Sequence, residues 1–240
     1  MDERIVRALQ ALDKQPAATA RQFDDGPRIA GSLVVLPSAF NPPTLAHQHL
    51  LERAAEFAGA RPAALLTTRN VDKAIHGASL AQRIEMLIAL RRELPELAVL
   101  ACNQARIMDQ APALRKSFEQ GVAELDLRFI VGFDTLERLF APRYYTDMEA
   151  ELTPFFERCR VIAANRAGMS ADDVVTWVSE NAGSFATRID ILEIDPYAAS
   201  LSSSDVRESV QSGGEAETVP GVVQEYIEAQ GLYREDLTDA

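Results

Sequence analysis

LVVLPSAFNPPTLAHQHL, residues 33–50, is the stretch from which the rest of the chain can be organised. LVVL (33–36) is a short unbroken apolar run, the pattern of a strand covered on both faces. The PSAFNPP loop follows, where Pro42 and Pro43 stiffen the turn and set the start of a helix over about 44–58. Thr44 and His47 are three apart and share a face of the first helical turn, whereas His49 points elsewhere. A helix start has free N–H groups and the positive end of the dipole, so a hydroxyl and an imidazole aimed off that turn meet an anion favourably.

The same alternation continues outward. AALLTT (63–68), LAVLAC (97–102), LRFIVG (127–132), RVIAA (160–164) and IDILEI (189–194) read as further strands. Helical patterns over 79–93, 109–123, 134–140 and 170–181 separate them, and helices over about 203–212 and 220–230 close the chain. At the other end, Ile5, Val6, Leu9 and Leu12 predict a short helix over 3–13, with residues 14–31 as a connection. The domain reading is therefore an N-terminal helix and connection (1–31) ahead of one domain (32–240). Repeated strand–helix units imply an α/β fold: a Rossmann-like, mostly parallel, doubly wound sheet flanked by helices. Ligands of such sheets bind beyond the carboxyl ends of the strands at the switch point, which directs attention to the loops after the first, fourth, fifth and last strands.

Composition narrows the classes. With 47% hydrophobic and 25% charged residues, a sizeable core is expected and wholesale disorder is not. A net charge of −12 opposes broad nucleic-acid binding, which needs a basic face, but leaves small anionic substrates open. Cys102 and Cys159 lie in apolar runs and read as buried thiols, with neither a disulfide framework nor zinc spacing. The opening MDERIVRALQALDKQ lacks an uninterrupted apolar segment, and no stretch is long enough to span a bilayer. No membrane role is expected, the default location is the reducing cytoplasm, and a homo-oligomer stays open.

Neither G-x-x-x-x-G-K-[ST] nor G-x-G-x-x-G occurs, which disfavours a P-loop kinase or a nicotinamide-dependent dehydrogenase. A second helix opening stands after the last strand: LSSSDVRESV (201–210), where Ser203 and Ser204 offer hydroxyls and N–H groups and Arg207 lies one turn in. An arginine there can fork onto phosphate oxygens. SAFNPPTLAH resembles the G-S-F-[ND]-P-x-[HT]-x-G-H signature of the adenylyl- and cytidylyltransferase superfamily. LSSSDVR resembles the I-S-S-T-x-[IV]-R motif of the same group. The resemblance covers roughly residues 32–212. Ser38-Ala39 replaces Gly-Ser, Ala46 replaces glycine and Ser204 replaces threonine.

The resemblance implies that Ser38, Ala39, Phe40, Thr44 and His47 hold the α- and β-phosphates of a nucleotide. It assigns Ser203, Ser204 and Arg207 to the phosphates that leave as pyrophosphate. In VGFDTLERLF (131–140), Gly132 and Asp134 stand where the superfamily contacts adenosine; a plain helix cap by Asp134 is the alternative. NVDKAIHGASLAQRIEML (70–87) resembles the acceptor segment of nicotinamide- and nicotinate-mononucleotide adenylyltransferases. That places Lys73 near the transferring phosphate and Arg83 on the acceptor side, against the plainer reading of Arg83 as a solvated helix charge. Asn165 and Arg166, at the end of the fifth strand, are candidates to read a nucleobase or a pyridine ring. Trp177 reads as core.

The implied reaction joins a small phosphorylated acceptor to AMP from ATP, with Mg²⁺ held mainly by the ATP phosphates. The acceptor's phosphate oxygen is already ionised, so no general base is needed and catalysis rests on positioning and charge stabilisation. Two alternatives remain: a phosphopantetheine- or cytidylyl-type transferase, and a catalytically weak nucleotide-binding regulator. All of it requires the openings at His47 and Arg207 to converge.

Overall fold

The computed structural model describes residues 2–69, 77–119, 124–166 and 168–234. Within them the chain begins with helix α1 (Glu3–Asp13) and strand β1 (Ala20–Gln22). Next come β2 (Ser32–Pro37), α2 (Leu45–Ala58), β3 (Arg61–Thr67), α3 (Leu80–Leu90) and β4 (Ala98–Cys102). The second half holds α4 (Ile107–Phe118), β5 (Asp126–Gly132), α5 (Phe133–Leu139), α6 (Met148–Arg158), β6 (Cys159–Ala164), α7 (Ala171–Asn181) and β7 (Ile189–Leu192). Helices α8 (Pro196–Ser200), α9 (Ser203–Gln211) and α10 (Gly221–Gln230) finish it. None of these helices is long and apolar enough to cross a membrane.

The strands form one sheet in the order β1-β4-β3-β2-β5-β6-β7. Every neighbouring pair is parallel except β1, which runs antiparallel to β4. Side chains alternate between the two faces, as the pleat demands. Val34, Leu36, Leu66, Val99 and Ile130 join Leu51, Ile84 and Leu87 on one face. Leu33, Val35, Leu65, Leu100 and Phe129 join Leu114, Leu136 and Phe156 on the other. Each such Leu or Phe withdrawn from water contributes roughly 2 kcal/mol. The apolar runs of the sequence are runs because both faces are covered.

The order reverses between β2 and β5. From β2 the chain passes into α2, whose Leu51 and Ala54 pack on the first face; from β5 it passes into α5, whose Phe133 and Leu136 pack on the second. Helices leaving neighbouring strands to opposite faces open a crevice at the carboxyl edge.

Three segments differ from the sequence reading. Residues 14–31 are more than a connection, because β1 adds an edge strand. Buried Asn103 holds that segment: its amide donates to the carbonyls of Gln15 and Ala17, and its oxygen accepts from Thr19 N–H. Residues 141–159, left without an element by pattern alone, contain α6, capped by Asp147 and buried through Leu152, Phe155 and Phe156. Its interior Pro154 resembles a helix breaker in sequence, and packing on the sheet overrides that. The short α8 also appears where no helix was expected, started by Asp195, whose carboxylate accepts from the N–H groups of Tyr197 and Ala198. Elsewhere the six expected strands stand in place, and α4 begins two residues earlier than the pattern placed it.

Candidate active site

The loop from Pro37 to Thr44 leaves β2 at the reversal point. Phe40 within it has φ 45, a left-handed conformation that costs a bulky residue on the order of 1–2 kcal/mol. Its ring is wholly buried and lies 4.9 Å from the His47 ring, so this side chain backs the imidazole and does not face a ligand. The Phe40 ring therefore has a backing role in the loop.

Thr44 is the N-cap of α2 and is completely buried. Its N–H donates to His47 Nδ1 at 3.0 Å, and its hydroxyl lies 2.8 Å from the same nitrogen. A backbone N–H can only donate, so Nδ1 is an acceptor and the neutral ring carries its proton on Nε2. That proton faces Ser38 Oγ at 2.9 Å, and Ser38 lines the cavity described below. Desolvation pulls the imidazole down to about 4, so His47 is a neutral donor near pH 7. The sequence reading had Thr44 and the free N–H groups of the helix start meeting an anion directly. In the structure the Thr44 hydroxyl is committed to orienting His47, and Leu45 N–H donates to the Thr218 carbonyl.

The second opening meets the first. Ser202, one residue before the expected pair, caps α9. Ser203 Oγ donates to the Pro42 carbonyl at 2.8 Å. Arg207 Nη1 donates to the carbonyls of Asn41 at 2.7 Å and Ser203 at 3.1 Å, and its Nη2 donates to Ser204 Oγ at 3.0 Å. The two helix openings therefore meet on one loop.

Arg83 also reaches this loop. It is 3% exposed, which overturns the reading of a solvated helix charge. Its Nε donates to the Ala78 carbonyl at 2.8 Å and its Nη1 to the Ala39 carbonyl at 3.4 Å. Burial lowers its pKa from the usual arginine value, with Tyr233 opposing and Arg207 adding to that shift. Helix α3 presents it from a capping box in which Ser79 and Gln82 exchange backbone bonds.

A cavity of about 570 Å³ opens at the crevice, walled by the ends of β2, β3 and β5. Ser38, Ala39, Arg83 and Gly132 line it, together with Arg69, Arg106 and Arg138, and no acidic residue among the described ones does. Four arginines thus line one recess of a chain of net charge −12, with Arg106 paired to Asp109 and Arg69 to Asp13. Arg69, Arg106 and Arg138 were not singled out in sequence, because nothing local separates a cavity arginine from a surface one.

Asp134 and Arg166 form an ion pair across the ends of β5 and β6. Gly132, and not Asp134, is the N-cap of α5. Asn165 is buried; its amide donates to the carbonyls of Met169 and Ile194, and its oxygen accepts from Ile194 N–H at 2.7 Å. These bonds brace the strand end and commit the Asn165 side chain to main-chain groups. Lys73 lies outside the described residues. Cys102 and Cys159 are buried, burial raising each thiol to about 11. Trp177 packs edge-on against Phe133 and Phe140.

A loop at the reversal point of a mostly parallel sheet, clamped by a second helix opening, is the arrangement of a nucleotidyltransferase-type α/β protein. A family profile described as cytidylyltransferase-like matches residues 35–209, and the chain belongs to that family. Its fold resembles that of Plasmodium falciparum nicotinic acid mononucleotide adenylyltransferase complexed with NaAD. The TM-score is 0.61 and the identity 12%, over 85% of this chain and 98% of that one. The same enzyme complexed with APC gives 0.59 at 11% identity, with equal coverage. No curated protein matches the chain by sequence.

Proposed function

We propose that the chain is an adenylyltransferase that moves AMP from ATP onto the phosphate of a mononucleotide acceptor, NMN or nicotinate mononucleotide. The observation that carries this reading is the clamp of Arg207 and Ser203 on the Asn41–Pro42 carbonyls, in the loop whose Ser38 and Ala39 line an arginine-lined cavity. The acceptor class is supported by the fold neighbour, described as acting on nicotinic acid mononucleotide. A cavity of this volume suits a mononucleotide-sized ligand.

In this reading an acceptor phosphate oxygen attacks the α-phosphorus of ATP. The bond from that phosphorus to the bridging oxygen breaks, and pyrophosphate leaves with the electron pair. His47 contributes the Nε2–H, which turns from Ser38 Oγ to a phosphate oxygen. Arg207 and the N–H groups of Ser203 and Ser204 face the departing pyrophosphate, and Arg83 faces the acceptor. Charge in the transition state is met by donors already in position. Mg²⁺, held mainly by the ATP phosphates, would supply further neutralisation of the leaving group.

The test is incubation with Mg·ATP and each mononucleotide, with phosphopantetheine and CTP as controls, read by mass for the product and by pyrophosphate release. A dinucleotide from NMN or nicotinate mononucleotide is the expected result. ATP binding without product on any acceptor would defeat the enzyme reading and favour a nucleotide-binding regulator.

A further inference from the structure

We propose that Tyr233 is a positioning residue of the phosphate clamp, holding Asn41 and, through it, Arg207. The inference rests on the nucleotidyltransferase reading above and concerns a segment beyond the matched family region.

The chain turns back after α10 at Gly231, with φ 61, and Leu232 N–H donates to the Ile227 carbonyl at 3.0 Å. Tyr233 follows at φ 65, a conformation that a bulky side chain keeps only where its surroundings enforce it. Its hydroxyl donates to Asn41 Oδ1 at 2.9 Å. The same oxygen accepts from Ala78 N–H at 3.1 Å, and the Asn41 carbonyl accepts from Arg207. Asn41 therefore has one end held by Tyr233 and Ala78 and the other set against Arg207.

Two further observations tie the ring to this place. Gly77 has φ +91, and a Cβ there would stand 2.9 Å from Tyr233 Cε1 and 3.0 Å from Asn41 Oδ1. The loop before α3 thus leaves room for both partners that no larger residue would leave. The phenol also lies within electrostatic reach of Arg83 and Arg207, and burial pushes its pKa up, so it remains a neutral donor. The hydroxyl thus meets the motif loop at the residue whose carbonyl Arg207 holds.

Tyr233→Phe keeps the ring and deletes the hydroxyl. We expect its affinity for Mg·pyrophosphate, by calorimetry, to fall about fivefold to tenfold, the loss of one hydrogen bond. The KM for ATP rises with it, while the acceptor KM stays near wild type and the thermal midpoint falls by no more than a few degrees. Adding Tyr233→Phe to Asn41→Ala causes no further loss of pyrophosphate affinity. Unchanged pyrophosphate affinity in Tyr233→Phe, additive losses in the double variant, or a midpoint lowered beyond that with ATP and acceptor affected alike would each overturn the proposal. A wild-type protein that binds pyrophosphate but transfers nothing defeats the adenylyl reading alone. One that binds neither pyrophosphate nor ATP overturns both.

Discussion

Arg207 donates from Nη1 to the main-chain carbonyl of Asn41 at 2.7 Å, so a single hydrogen bond joins positions 166 residues apart. The carbonyls on either side of Phe40 are both held by guanidinium groups, Ala39 by Arg83 and Asn41 by Arg207. The motif loop is thus gripped from two helices that reach it from different parts of the chain. Four expectations follow from that geometry.

Replacing Arg207 by Lys keeps the charge and loses the fork that serves Asn41, Ser203 and Ser204 together. The KM for ATP should rise at least about tenfold, with the acceptor KM little changed. Steady-state kinetics with each substrate varied in turn decides it; an unaltered ATP KM would separate Arg207 from the triphosphate.

His47→Ala removes the Nε2–H donor without touching the sheet. Turnover should fall on the order of 10²-fold, while the circular dichroism spectrum is retained. His47→Gln, whose amide N–H can partly stand in, should recover part of that loss. Equal activity of wild type and the Ala variant in pyrophosphate release would remove His47 from the mechanism.

Because burial depresses the His47 pKa from 6.5 to about 4, the unfolded chain takes up a proton in this window before the folded one does. This contribution is fully present above about pH 6.5 and is lost as pH falls toward 4, amounting to at most about 3 kcal/mol. Urea midpoints measured across that range should decline less in His47→Gln than in wild type. Parallel declines would show that the ring is solvated in solution.

Arg83→Ala should cost about 1–3 kcal/mol of stability, since it strips the partner from the buried carbonyl of Ala78 and loosens the Ala39 end of the loop. A solvated helix arginine would cost no more than about 0.5 kcal/mol. Chemical denaturation distinguishes these outcomes directly, before any assay of activity.

Much of the architecture was legible in the chain. LVVL, AALLTT and LRFIVG read as two-sided strands because both faces of a parallel sheet are covered, and that demand is written in consecutive residues. The helix openings at Thr44 and near Ser203 were legible for a similar reason: capping is a local matter of side chains meeting N–H groups within one turn. Helix α6 escaped because Pro154 interrupts the local pattern, and β1 escaped because three residues carry too little periodicity.

Spatial roles were a different matter. Motif resemblance and position could nominate Thr44, Phe40 and Asn165, yet their exposure depends on what other segments place beside them. Thr44 turned out to orient His47, Phe40 to back it, and Asn165 to brace a strand end. Local sequence settles backbone preference and which face of an element is apolar, since those depend on near neighbours. Where Arg83, Arg207 and Tyr233 end up depends on contacts spanning from 44 to 192 residues, and such contacts exist only once the sheet has brought its carboxyl edge together.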